Sequence, residues 1–176
     1  MKNKEDILIK SLDGIEITKI LDSYPEDVWA EGGIAPSRYK YIKGLKKGTE
    51  LRNASSTSPC EILRKFLEEV VDPIVDEYAK NKFIDFTKKQ YQLVRYTEGQ
   101  FFKEHADATE EFLRKISVLF YLNDNYLGGE IVFTKFDMCI KPEKNTLIVF
   151  PSSEEFSHSA EPVKSGVKYV VVGFRL

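Results

Sequence analysis

The sequence predicts a mainly β, α+β domain: a double-stranded β-helix, or jelly roll, with N-terminal helices packed on one face. Three observations carry this expectation. Apolar residues recur with a helical period before Phe86 and with period 2 after it. Six strand-length segments, each closed by turn residues, then follow one another. Helices first and many short strands afterwards is the order of a double sheet braced by helices. At 176 residues, 42% hydrophobic and 12% aromatic, the chain holds enough apolar surface for one domain with a sizeable core. Residues 1–89 read as helical support with a candidate lid loop, and 90–176 as the jelly-roll core.

In chain order, residues 5–10 alternate weakly and suit an edge strand. Ile17, Ile20, Leu21 and Tyr24 form a helical face over 15–24 that Pro25 stops. From Glu31 to Pro59 the chain is Gly- and Ser-rich and reads as an irregular loop. Between Ser37 and Arg52 it sets six cations against one acid, Glu50, which suits either a solvated loop or a substrate lid. Ser58, Pro59 and Glu61 fit the N-cap, N1 and N3 positions of a helix. That helix carries Ile62, Leu63, Phe66, Leu67, Val70, Val71, Ile74, Val75 and Tyr78, broad enough for a buried stripe, with Pro73 positioned to kink or divide it. Strands are expected at Tyr91–Tyr96, Phe101–Asp107, Ile116–Leu122, Glu130–Phe136, Thr146–Phe150 and Lys168–Phe174.

Charge and composition narrow the function. A formal net charge of -2 supplies no global field toward nucleic acid or an anionic membrane. The charged N-terminus lacks the apolar core of a signal peptide, and the apolar runs are too short to span a bilayer. Cys60 and Cys139 fit neither a metal spacing nor a disulfide framework, so a reducing cytoplasm is the default expectation.

The chemistry concentrates at Phe101-Phe-Lys-Glu-His105-Ala-Asp107. On a strand, side chains at i and i+2 share a face, so His105 and Asp107 point at one spot. Taken alone, the pair is equally a surface histidine near an acidic loop. The only other histidine, His158, follows an apolar strand and a Pro151-Ser-Ser153 loop. Two histidines and a carboxylate on adjacent strands make the facial triad that suits non-haem Fe(II). Ten positions on, Lys168 shares a strand face with Val170, Val172 and Phe174. A lysine among apolar residues is costly unless an anion pairs with it or it snorkels from the strand end. A dicarboxylic acid reaching from the metal to Lys168 would satisfy both ends, whereas Lys164 reads as a turn lysine in water.

His105-X-Asp107, His158 and Lys168, with Tyr121-Leu-Asn-Asp124, Gly128-Gly-Glu130 and Phe150-Pro-Ser152 between them, resemble Fe(II)/2-oxoglutarate-dependent dioxygenases of the prolyl 4-hydroxylase type. The resemblance covers roughly residues 90–176, and Arg52-Asn-Ala-Ser55 is similar to a segment upstream in that family. It implies that His105, Asp107 and His158 bind iron and that Lys168 holds the distal carboxylate of 2-oxoglutarate. Tyr96 and Tyr121 become candidate cofactor contacts, and Ile131 and Phe174 candidate walls, with ordinary core packing the alternative for each. Dioxygen is then a cosubstrate and ascorbate a candidate auxiliary reductant. The implied reaction is hydroxylation of an unactivated C–H bond, foremost in a prolyl residue of a peptide or protein. A free amino acid, another small molecule or an alkylated nucleobase are alternative substrates. The nucleobase version, which uses two arginines, would need Arg175 beside Lys168. Related halogenases replace the carboxylate ligand with a small residue, so Asp107 implies a hydroxylase. A metal-binding jelly-roll module without turnover is the alternative of another class.

Overall fold

The computed structural model describes residues 4–12, 18–21, 24–32, 52–110 and 112–176. The expected lid therefore lies outside the described residues except for Arg52.

Thirteen strands are described, eleven of them in one curled antiparallel sheet. The first half contributes β1 (Leu8–Ser11), β2 (Ala30–Gly32) and β3 (Arg52–Thr57). The second half contributes β4 (Lys89–Tyr96), β5 (Phe101–His105), β6 (Ile116–Tyr121), β7 (Leu127–Gly128), β8 (Ile131–Phe133) and β9 (Met138–Ile140). It closes with β10 (Thr146–Pro151), β11 (His158–Ala160), β12 (Val163–Ser165) and β13 (Lys168–Arg175). Neighbours run β1-β10-β6-β13-β4-β3-β5-β11-β8-β9, with β2 added to β3 and β7 pairing β12 apart.

The sheet turns its corner at β3. Ser55, Ser56 and Thr57 pair with β4, while Arg52 and Asn53 pair with β5. One short strand thus belongs to both layers of the jelly roll. For Arg52–Thr57 this corrects the expectation of an irregular loop from Glu31 to Pro59, of which residues 33–51 lie outside the described residues. Arg52–Thr57 is polar and lacks period-2 apolar residues, yet pairing on both sides satisfies its backbone, and the small Ala54 fits the buried corner.

Strict alternation splits the long strands between two cores. From β6 and β10, Val118, Phe120, Leu147 and Val149 face outward, toward the helix. Leu119, Tyr121, Ile148 and Phe150 face inward, against Ile131, Phe133 and Phe156 of the second layer. The helix that covers the outer core runs through α1, Glu61–Phe66, a π-helical turn Leu67–Val71 and α2, Asp72–Asn81. It buries Leu63, Leu67, Val71, Val75 and Tyr78, and leaves Ile62 in solvent. Each such apolar side chain contributes about 1.5–3 kcal/mol on burial.

The helix ends differ from expectation. Its N-cap is Cys60, without a side-chain cap, and the Tyr24 hydroxyl accepts from the Cys60 N–H instead. Ser58 and Pro59 stay extended because β3 runs up to Thr57. Pro73 divides the helix without breaking it: it offers no N–H, and the turn just before it widens to π geometry. The expected strand over 130–136 is shorter, because Thr134–Phe136 form a 3-10 turn. Asp137, in the left-handed region at φ 50°, then reverses the chain into β9.

At the far edge of the outer core, Arg175 is fully buried and bonds Asp72 and Tyr91, tying the last strand to the helix. No described helix is long and apolar enough to cross a membrane.

Candidate active site

Inside the curl, one cavity of about 130 Å³ gathers every residue expected to bind iron or 2-oxoglutarate. His105, Asp107, His158, Lys168, Tyr96, Tyr121, Ile131 and Phe174 all line it.

The two histidines face each other because β5 and β11 pair antiparallel with His105 opposite His158. Their ring centroids are 4.5 Å apart. Asp107 reaches them by a route the sequence did not suggest. β5 ends at His105, and Asp107 sits in the bend beyond it, so strand alternation is not what brings the pair together. The bend is fixed by the Ala108 N–H donating to the Ser152 carbonyl at 2.8 Å. The Ser117 hydroxyl donates to Asp107 Oδ2 at 2.7 Å and shares a second hydrogen bond of 2.7 Å with Ser152 Oγ. The outcome is a compact cluster: Nε2 of His105 is 3.6 Å from Asp107 Oδ1, and Nε2 of His158 is 3.8 Å from Asp107 Oδ2. One ligand atom from each residue lies within 4.8 Å of the others.

Backbone carbonyls set the ring tautomers. His105 Nδ1 lies 2.8 Å from the Lys103 carbonyl and His158 Nδ1 3.1 Å from the Phe156 carbonyl. A carbonyl only accepts, so each Nδ1 carries a proton, and in the neutral ring this leaves the Nε2 lone pair for the cluster. Burial, reinforced by the neighbouring His105, pushes His158 down to about 4, so it is neutral at physiological pH. Burial alone would raise the Asp107 carboxyl. The two imidazoles and the Ser117 hydroxyl outweigh that and hold it below the usual carboxylate range.

Lys168 lies across the cavity, 1% exposed, on the same strand face as Val170, Val172 and Phe174. Its Nζ donates to the Gly129 carbonyl at 2.7 Å and lies 5.0 and 5.3 Å from the ring centres of Tyr96 and Tyr121. Burial pushes its ammonium down to about 7, with Lys141 adding repulsion. Burial raises both tyrosines, so their hydroxyls remain donors. The turn that presents the Gly129 carbonyl requires glycine at its preceding position. Gly128 has φ +72°, and a Cβ there would meet the Pro162 carbonyl at 2.3 Å. Lys164, by contrast, is exposed, on β12 rather than in a turn.

Other cavity residues went unmarked in the sequence. Arg52, from the corner strand, lies over the Phe102 ring, which stacks on His105 at a centroid distance of 3.4 Å. Arg114 lies over Phe174 at 3.6 Å. Ser117 had a legible signal, a lone hydroxyl at an inward position in Ile116-Ser-Val-Leu-Phe-Tyr121. Arg52 was absorbed into the basic loop, and Arg114 stands in a stretch with no periodicity. Arg175 is not at this cavity; it faces the helix on the other side of the sheet, which removes the two-arginine likeness to nucleobase dealkylation.

Residues 91–175 match the model of the 2OG-Fe(II) oxygenase superfamily. The chain is similar to a PKHD-type hydroxylase of Rippkaea orientalis, 34% identical over an alignment of 121 residues that covers 62% of this chain and 54% of that protein. It spans about half the length of the curated relatives it matches. In fold it is similar to a prolyl hydroxylase of Trichoplax adhaerens solved with a hypoxia inducible factor peptide. That likeness has a TM-score of 0.76 and 17% identity, and covers 98% of this chain and 84% of the other. A viral collagen prolyl hydroxylase from Paramecium Bursaria Chlorella virus-1, solved with 2-oxoglutarate, has a TM-score of 0.68 and 20% identity. There the coverage is 98% of this chain and 96% of the other. The chain thus carries, at residues 91–175, a domain that matches the 2OG-Fe(II) oxygenase superfamily.

Proposed function

We propose that this protein is an Fe(II)- and 2-oxoglutarate-dependent dioxygenase that hydroxylates a prolyl residue of a peptide or protein. The observation that carries the reading is the convergence of His105, Asp107 and His158 on one point, facing the buried Lys168. Two neutral imidazole nitrogens and one carboxylate are the donor set that non-haem Fe(II) takes, with coordination positions left over. A site built only to hold a structural metal would close its coordination sphere, which argues against a module without turnover.

In this reading His105 and His158 ligate through Nε2, and Asp107 ligates as the carboxylate that Ser117 orients. Lys168 holds the distal carboxylate of 2-oxoglutarate, with the Tyr96 and Tyr121 hydroxyls as further donors. Ile131 and Phe174 wall the pocket and exclude water. Bound there, iron and 2-oxoglutarate supply the oxidising chemistry, with dioxygen consumed and succinate and carbon dioxide released. The prolyl assignment draws support from the hydroxylases the chain is similar to.

The test is succinate formation from 2-oxoglutarate with ferrous iron and ascorbate, run with a panel of Pro-containing peptides and with a metabolite extract. Substrate-stimulated succinate and a one-oxygen mass gain on a peptide are expected. A mass gain only in the metabolite arm would move the substrate to a small molecule. No stimulation in either arm would overturn the enzyme reading.

A further inference from the structure

Resting on the oxygenase reading above, we propose that the substrate carries a carboxylate close to the carbon being oxidised, and that Arg52 and Arg114 select it. The charge lining the cavity is lopsided: Arg52, Arg114 and Lys168 stand against one acid, Asp107. A ferrous ion and a 2-oxoglutarate dianion would cancel each other in charge. Asp107 offsets one of the three cations, which leaves a net of two positive charges over Arg52, Arg114 and Lys168. In a desolvated pocket such an excess is costly until an anion enters.

The two guanidiniums sit where that anion would arrive. Arg52 pairs with Phe102 across β3 and β5, and its guanidinium lies 5.3 Å from the Phe102 ring that stacks on His105. Arg114 lies beside the carboxylate of the cluster, with Nη1 3.9 Å from Asp107 Oδ1. A guanidinium held over an aromatic face keeps its full charge and its donors. No carboxylate among the described residues pairs with Arg52; its guanidinium bonds the Tyr96 side chain, while its Nε is buried with no hydrogen-bond partner among them. An anionic acceptor such as a carboxylate would fill that open donor.

The carboxylate has two possible sources, an acidic residue beside the target in a peptide or the α-carboxylate of a free amino acid. Calorimetry on the Zn(II)-loaded protein with 2-oxoglutarate distinguishes them without turnover. One probe pair is acetyl-Asp-Pro-amide against acetyl-Asn-Pro-amide; the other is free L-proline against L-prolinamide. The acid of at least one pair should bind on the order of 10–100-fold more tightly, the size of a hydrogen-bonded charge pair. That preference should shrink with added salt in the unaltered protein, and in Arg52→Gln and Arg114→Gln. Zinc affinity measured in parallel separates loss of the substrate contact from disturbance of Asp107. If 2-oxoglutarate binds and neither pair discriminates, or the preference survives both variants, the proposal is overturned alone. If 2-oxoglutarate itself does not bind, the oxygenase reading falls and takes the proposal with it.

Discussion

Replacing Lys168 with alanine removes the cation assigned to the distal carboxylate of 2-oxoglutarate. The side chain is 1% exposed, and the one hydrogen bond given to its Nζ goes to the Gly129 carbonyl, so little water competes for the ammonium. Removing one partner of such a buried pair typically costs ~3–5 kcal/mol. At about 1.4 kcal/mol per decade, that is roughly two to four decades in cofactor affinity. Iron affinity should hardly change, since no ligand is lost. Lys168→Arg should recover part of the loss because the charge is kept while reach and shape differ. The pH dependence follows from the same site. With burial holding the ammonium at about 7, it is increasingly neutral above that pH, and a bound dicarboxylate must restore its proton. Affinity should therefore be level below about pH 7 and fall roughly tenfold per unit above it, with one proton taken up on binding. Titration calorimetry in buffers of different ionisation enthalpy reads both quantities, with the exposed Lys164→Ala as control. Equal affinities for the Lys168 and Lys164 variants, or an affinity that rises with pH, would refute the assignment.

Three further outcomes are expected. His105→Ala or His158→Ala should abolish metal binding and 2-oxoglutarate consumption while circular dichroism stays close to the unaltered protein; substantial turnover by either variant contradicts the ligand set. Ser117→Ala removes the hydroxyl that orients Asp107 and should weaken iron affinity about 10–100-fold by competition titration, with the fold intact. Gly128→Ala forces a Cβ to 2.3 Å from the Pro162 carbonyl at a positive φ; it should lower the thermal midpoint, and an unchanged midpoint would mean that the turn relaxes freely.

What was legible in the sequence was whatever periodicity and residue type encode. The strands β6 and β10 read as near-continuous apolar runs because both faces are buried, one against the helix and the other in the inner core. Lys168 stood out because a cation on an apolar face is anomalous. The triad was legible because only two histidines exist to supply it. What escaped was set by pairing at a distance. Arg52–Thr57 becomes a strand through partners on both sides, although its own residues favour turns. Asp107 arrives by a bend that Ser152 and Ser117 hold, partners that local periodicity does not connect to it. The helix cap moved to Cys60 because a tyrosine far upstream supplies the acceptor.

The anchoring of Asp107 has a mechanical consequence. The two imidazoles ride on β5 and β11 in one layer of the sandwich, while the carboxylate is tethered through Ser117 to β6 in the other. The three ligand atoms therefore span the gap between the layers, and their spacing gauges its width. A substitution that overfills the inner core around Leu119, Ile148 or Phe150 would spread the layers and draw Asp107 away from the histidines before the protein unfolds. Metal affinity would then act as a caliper on the core, registering sub-ångström strain in side chains that never touch the ion.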